Sequence, residues 1–504
     1  EYTMQLWGES YPVNYNYKYP KAGEKNSFVS CYIYDTEKNK TEILFDGNNK
    51  DIYIPRLGWV SQNVVYIQKL NRMQDSLEVH HIEIGTTQDK IIKYFTATTY
   101  VEINDDLTYL KSGKGFITTS EETGYRHIYL YDLNGKVVVT VTSGNWEVVK
   151  ILGIDEQNQK IYYASKEHSV LEEHVYVVDF RGTNKRKLTE MEGVNRVAFG
   201  PGFYYYVCSN SSYNKGLNTN LFKITGEKIL PLAQNEKAYQ KLKEVNIPSF
   251  GFFKFSTNEN IELNAWILKP VDFDSTKKYP LLVFCYGGPG QQTVVNEWKN
   301  RNWLWFYYLT QKGYIVASVD NRGTTGRGAI FRNLSHGRLG ELELEDQTNF
   351  AKFLSSKSYI KKDKVGIFGW SYGGYLSSLC ILLSRDIFST AIAVAPVTSW
   401  RFYDSIYSER LLKTPQANQN GYDKFSPLEH AKKLKGNYLL IHGTADDNVH
   451  FQNTVEMQRA LIEAGKQFQS FFYPDKNHGI TGIATRYHLY KMMTDFLDKK
   501  MLEE

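Results

Sequence analysis

The 504 residues correspond to two to four domains at about 150 residues each, ample for a large buried core. With 42% apolar and 23% charged residues the chain is neither disordered nor low in complexity, and 15% aromatic residues favour extended structure packed on pleated faces. A net charge of +5 argues against nucleic acid or an anionic membrane as the main partner. The longest apolar runs, such as 281–286 and 392–397, fall far short of the roughly 18 residues of a spanning helix. The four cysteines (Cys31, Cys208, Cys285, Cys380) include no C-x-x-C pair and suggest neither a disulfide framework nor a zinc site.

From the start of the chain, short strands that close on an acidic or turn residue recur at 30–35, 78–84, 127–132, 174–179 and 220–225. Their ends are separated by steps of 49, 48, 47 and 46 residues. Each is preceded by another β-rich run (63–67, 114–119, 160–164, 202–207), and a period of about 45 residues built from short strands predicts four-stranded propeller blades. Five such units are too few to close a large ring and would leave an exposed strand edge, so missing N-terminal blades are expected. Glu1 is preceded by no initiator Met or leader pattern, which reads as a processed product or a piece of a longer chain.

Near residue 245 the pattern changes to strands alternating with amphipathic helices. Strands are predicted at 251–255, 262–268, 280–286, 314–319, 364–368, 390–394, 437–442 and 467–473, and the clearest helices at 345–356, 372–383, 452–464 and 483–499. This alternation predicts a mostly parallel, doubly covered sheet. The expected organisation is a partial β-propeller over 1–245 followed by an α/β hydrolase domain over 246–504.

The sequence VGIFGWSYGG places Gly369-x-Ser371-x-Gly373 directly after a buried strand and before a helix. The bare motif is weak, but this context is that of a nucleophile elbow, where small residues flanking the serine allow the sharp turn that exposes Oγ. The fold then requires an acid and a histidine in that order, each following a later strand. Asp446, with Asp447 as a turn or capping alternative, follows the strand ending at His442, and His478 follows the strand ending at Tyr473. The backbone N–H of Tyr372 is the expected oxyanion donor, joined by a group from the loop after strand 280–285. Tyr286 stands there, its alternative being one more strand-end aromatic.

Other motifs carry less. Gly323–Gly328 lacks the order of a phosphate-binding loop, and His80 and His81 are adjacent on a strand and therefore face opposite ways, against shared metal ligation. Glu341, Glu343, Glu345 and Asp346 read as a solvated loop entering a helix N-terminus.

The segments Gly369–Tyr375 (GWSYGGY), His442–Gln452 (HGTADDNVHFQ) and His478–Ile480 (HGI) resemble the dipeptidyl peptidase IV group of the prolyl oligopeptidase clan. The likeness extends through Val394–Trp400 and Tyr403–Tyr407, and into the blades through Tyr19–Gly23 (YPKAG) and Glu122–His127 (ETGYRH). It implies a serine exopeptidase that releases N-terminal Xaa-Pro or Xaa-Ala dipeptides, with Ser371, Asp446 and His478 as triad, Tyr286 as oxyanion donor and no cofactor or metal. It further implies a proline pocket of Tyr372, Val397, Trp400, Tyr403, Tyr407 and Val449, a substrate-backbone contact at Asn448, a homodimer, and an exported or surface location. The paired glutamates with which that group anchors the substrate ammonium are not matched by Glu121-Glu122, Glu172-Glu173 or Glu503-Glu504, so the anchor is expected upstream of Glu1. If this chain were complete, hydrolysis without dipeptide specificity would be expected. Competing readings are an oligopeptidase or tripeptidyl peptidase of the same clan, an ester hydrolase, and a non-catalytic propeller that binds partners.

Overall fold

Residues alternating to opposite faces of short strands decide how the first half of the molecule packs. In the computed structural model, which describes every residue except Thr87, Asn104, Val245, Asn246, Lys299 and Glu504, four antiparallel sheets of four strands follow one another. They span Ile52–Thr96, Thr108–Thr140, Val148–Lys187 and Val194–Gln234, and a two-stranded sheet (Cys31–Asp35 with Lys40–Phe45) precedes them. Four of the five periodic strands of the sequence are the third strand, in chain order, of a four-stranded sheet, which explains their even spacing, and the first, at 30–35, lies in the two-stranded sheet. On strand Lys160–Ser165, Ile161 and Tyr163 pack with Ile117 and Ile128 of the preceding sheet, whereas Tyr162 packs with Val197 and Phe199 of the following one. That sheet is thus buried on both faces by its neighbours, the stacking of propeller blades.

The transition to the second half lies between Gln234 and Ser249. The boundary expected at 245/246 falls on Val245 and Asn246, which lie outside the described residues, as does Glu504 of the terminal acidic pair. From Ser249 onward one eight-stranded sheet forms in the order Ser249–Ser256, Glu262–Lys269, Ile315–Val319, Tyr279–Cys285, Ile360–Trp370, Thr390–Val394, Asn437–Gly443 and Gln469–Tyr473. The first two strands run antiparallel and the remaining six parallel to one another. Leu281 and Val283 join one core with Val365 and Ile367, while Leu282 joins the other with Phe368, Ile392, Leu489 and Met493. This is the doubly covered sheet of an α/β hydrolase, and its strands' carboxyl ends face a common rim.

Several elements were not anticipated, three of them near the site or the core. Helix Asn300–Gln311, helix Ser405–Leu412 and the hairpin Tyr2–Leu6/Val13–Tyr17 carry no clean apolar period. One expectation is overturned: the acidic run is not a solvated loop. A helix covers Glu341–Ser355, and within it Glu343 and Asp346 are both 0% exposed. The physical reason is a distant partner, because Arg322 donates to Asp346 from Nε and Nη2 and reaches Glu345 and Glu259 as well.

Charged pairs join the two halves. Arg332, 4% exposed, forks onto Glu121 of a blade turn with two 2.7 Å bonds, and its Nε donates to Tyr100 Oη at 3.0 Å. Arg72 forks in the same way onto the buried Glu409, which also accepts the backbone N–H of Gly23. Bidentate geometry and low exposure make these pairs costly to break singly, since the surviving charge stays buried. Glu121→Ala is therefore expected to destabilise the chain by about 3 kcal/mol and Glu121→Gln by less, read as a fall in denaturation midpoint.

Candidate active site

The turn that presents Ser371 depends on two close approaches. A Cβ at Gly369 would sit 2.1 Å from the carbonyl oxygen of Gly373, and one at Gly373 would sit 2.2 Å from that of Cys285. No side chain fits at either position. Ser371 itself has φ 60° and ψ −118°, a conformation strained for any residue with a Cβ and held by its backbone N–H donating to Val394 O at 2.9 Å. Helix Tyr372–Leu383 begins immediately after it, so the N–H of Tyr372 lies at the positive end of a helix dipole.

Asp446 is 1% exposed and accepts four hydrogen bonds. Its Oδ1 takes the backbone N–H of Asn448 (3.0 Å) and of Val449 (2.9 Å), and its Oδ2 takes His478 Nδ1 (2.7 Å) and His442 Nε2 (3.1 Å). Burial pushes this carboxyl up, but the bonds from His442 and His478 outweigh it and hold it at about 2. Asp447, the sequence alternative, is exposed and makes none of these contacts. With Nδ1–H donated to Asp446, the imidazole of His478 keeps Nε2 as its free basic nitrogen. Ser371 Oγ and His478 are not hydrogen-bonded to each other among the described residues. Their segments are tied through Trp370 Nε1 donating to His478 O at 3.0 Å, and such serine–histidine bonds tighten when substrate binds.

Beside the elbow stands a box of rings. Trp400 lies 5.4 Å from Tyr372, 5.7 Å from Tyr407 in a stacked arrangement, and 5.6 Å edge-on from Tyr403, with Tyr403 and Tyr407 edge-on at 5.5 Å. Val397 and Val449 are buried behind them. Asp404 caps helix Ser405–Leu412 by accepting the Tyr407 N–H at 2.7 Å, which fixes that ring's backbone. Tyr403 Oη donates to Asn448 Oδ1 at 2.6 Å, so the amide nitrogen of Asn448 is turned away from it. Tyr286, at the end of strand Tyr279–Cys285, lies 6.2 Å from the Tyr372 ring, and its hydroxyl has no hydrogen-bond partner among the described residues. Burial raises its pKa, keeping the hydroxyl a proton donor.

Several residues escaped sequence reasoning. His442 supports Asp446 from within the sheet, its Nδ1 paired with Thr454 Oγ1 at 2.7 Å; its place two residues before the acid loop was the only signal. His450 stacks on Tyr2 at 3.5 Å and pairs with Tyr17 Oη at 2.7 Å, bringing the N-terminal hairpin against the acid loop. Tyr19 Oη donates to Asn448 O at 2.8 Å, and Ala22 N–H to Tyr403 O at 3.1 Å. Glu343 accepts Tyr372 Oη at 2.8 Å and the Gly340 N–H at 3.1 Å, and burial pushes its carboxyl up to about 7.

The chain's first 215 residues match the family model described as the dipeptidyl peptidase IV N-terminal region, and residues 302–504 match that of the prolyl oligopeptidase family. It is 31% identical to dipeptidyl peptidase 4 of Trichophyton equinum, covering 97% of this chain and 66% of that protein. Dipeptidyl peptidase 4 of Arthroderma otae is 30% identical, with 98% and 66% covered. The chain thus spans about two thirds of the length of these curated relatives. Among solved structures, dipeptidyl peptidase 4 of Porphyromonas gingivalis superposes with a TM-score of 0.94 at 37% identity, covering 99% of this chain and 71% of that one. A dipeptidyl aminopeptidase IV of Bacteroides ovatus, itself described as putative, superposes with a TM-score of 0.90 at 26% identity, with 99% and 73% covered.

The raised carboxyl of Glu343 carries a pH signature. An unfolded glutamate titrates near 4.3, so between roughly pH 4.5 and 7 the folded chain holds a proton that the unfolded chain has released. The contribution of Glu343 to stability therefore falls as pH rises through that window. Glu343→Gln, which keeps an acceptor for Tyr372, is expected to flatten this slope in denaturant unfolding measured from pH 4.5 to 7.5.

Proposed function

Since this chain belongs to the prolyl oligopeptidase family, in its dipeptidyl peptidase IV group, we propose that it is a serine exopeptidase releasing Xaa-Pro or Xaa-Ala dipeptides from peptide N-termini. The observation that carries the reading is the 2.7 Å bond from His478 to a buried Asp446, on the same rim as a strained Ser371 and flanked by the aromatic box. In this reading His478 Nε2 takes the Ser371 proton as Oγ attacks the scissile carbonyl, and the charged Asp446 stabilises the imidazolium. The developing oxyanion is met by the Tyr372 N–H and the Tyr286 hydroxyl. Collapse breaks the C–N bond, His478 protonates the departing amine, and an ester to Ser371 remains. Water, deprotonated by the same imidazole, then hydrolyses that ester.

The ring box of Tyr372, Trp400, Tyr403 and Tyr407, closed by Val397 and Val449, suits a compact apolar ring. Burial at about 25 cal/mol per Å² rewards proline, and the walls reject larger side chains sterically. Because Tyr403 occupies its oxygen, Asn448 offers amide N–H groups to a substrate carbonyl. The homodimer and the exported location implied by the family belong to the same reading, and light scattering of the full chain measures the former.

The direct test, on the full-length protein, compares Ala-Pro and Gly-Pro chromogenic amides with their N-acetylated counterparts. Cleavage of the free amines alone is expected; equal cleavage of both would point to an oligopeptidase of the same family, and faster turnover of acyl esters to an esterase. Ser371→Ala should lose both cleavage and fluorophosphonate labelling, whereas Asp446→Asn should retain the fold and lose kcat by on the order of 10⁴-fold.

A further inference from the structure

A second cluster of chemically active side chains lies on the propeller, in the loop joining strands Lys160–Ser165 and His174–Asp179. His168, Glu172 and His174 present ligand atoms all within 4.8 Å of one another. The two imidazoles meet edge-to-face with centroids 5.0 Å apart. His174 is buried; its Nδ1 stands 3.0 Å from the carbonyl oxygen of Thr189 and 3.4 Å from both Thr189 Oγ1 and Asn195 Nδ2, and its Nε2 stands 2.9 Å from Glu172 Oε2. A neutral imidazole has one N–H. In the tautomer that donates Nδ1–H to the Thr189 carbonyl, the lone pair of Nε2 and the Glu172 carboxylate stand side by side as two ligand atoms for a cation. An imidazole whose far nitrogen donates to a backbone carbonyl is the usual support of a metal ligand. The other Glu172 oxygen, Oε1, is likewise held, by Asn296 Nδ2 at 2.8 Å.

We propose that His168, Glu172 and His174 form a binding site for a divalent transition-metal ion of the zinc type. Two imidazoles and one carboxylate suit Zn²⁺, whereas Ca²⁺ and Mg²⁺ prefer oxygen ligands. Tetrahedral zinc with bonds near 2.0–2.2 Å holds its ligand atoms about 3.4 Å apart. Glu172 and His174 are already that close, and His168, exposed on its loop, swings inward to complete the set. Its exposure leaves the fourth position to solvent.

The site braces a junction. Asn296 follows Tyr286 by ten residues on the segment leaving the active-site rim. Its backbone N–H donates to Leu171 O at 2.8 Å, and its Oδ1 accepts the Tyr213 N–H at 3.0 Å. An ion on Glu172 therefore tightens the blade loop against the segment that continues from Tyr286. This is a structural role, and it leaves the chemistry at Ser371 untouched.

The test is calorimetric titration of the metal-stripped full chain with ZnCl₂, alongside CaCl₂ and MgCl₂, in wild type, His168→Ala, Glu172→Gln and His478→Ala. Expected are one Zn²⁺ per chain, at least tenfold weaker binding in H168A and E172Q, unchanged binding in H478A, and a zinc-dependent rise in Tm that H168A lacks. Turnover of H168A in metal-free buffer should equal that of wild type. Absence of zinc uptake, uptake unaltered by H168A, or uptake removed by H478A instead would overturn the proposal, the last placing the ion on the triad imidazole.

Discussion

A carboxylate kept charged where water does not reach it is the constraint on which the site depends. Asp446, 1% exposed, is ionised because four donors converge on it, two from its own turn and two from imidazoles. The two backbone donors fix the loop that follows strand Asn437–Gly443, and Asn448 and Val449 are the residues whose N–H groups they are. The carboxylate that orients His478 therefore also sets the backbone from which Asn448 meets Tyr403, and the two arrangements cannot vary independently.

The propeller takes part in that arrangement rather than standing apart from it. Arg332 with Glu121 and Arg72 with Glu409 are nearly buried ion pairs across the junction, each with a bidentate geometry that only one relative placement of the halves satisfies. Such pairs add modestly to stability, because desolvation offsets much of their attraction, but they penalise every other docking severely. Glu121, unassigned by the sequence as half of an acidic pair, serves this registry.

Most of the second half's elements were legible because buried parallel strands are short apolar runs and their helices are amphipathic. Both ends of Tyr372–Leu383 and Thr390–Val394 match the sequence reading. The blades were legible through their period, since each repeats one supersecondary unit. What was hidden has a common cause, namely partners remote in sequence. Glu343, Asp346 and Glu409 resemble solvated acids until Tyr372, Arg322 and Arg72 are brought to them. Helix Asn300–Gln311 places aromatic residues on most of its sides (NRNWLWFYYLTQ), so it shows no polar stripe by which a helix is recognised. His442 and His450 could not be separated from ordinary strand-end and loop histidines, because their role lies in what they support.

The pocket's dependence on the early chain follows from these remote contacts. Tyr403 and Tyr407 belong to a segment whose backbone pairs with Pro20–Ala22: Ala22 N–H donates to Tyr403 O, and Ser405 N–H donates to Pro20 O at 2.9 Å. Ser405 Oγ in turn donates to Asn26 Oδ1, whose amide nitrogen donates to Tyr53 Oη on the first four-stranded blade. Two walls of the ring box are therefore held in place by residues nearly four hundred positions upstream, through hydrogen bonds that neither half makes alone. A hydrolase rim without its propeller would keep the elbow, whose glycine and strand contacts lie within the second half, but not the spacing of the rings beside it. The elbow and the proposed proline pocket thus rest on different parts of the chain, the first on close approaches among strands of the second half and the second on packing between halves.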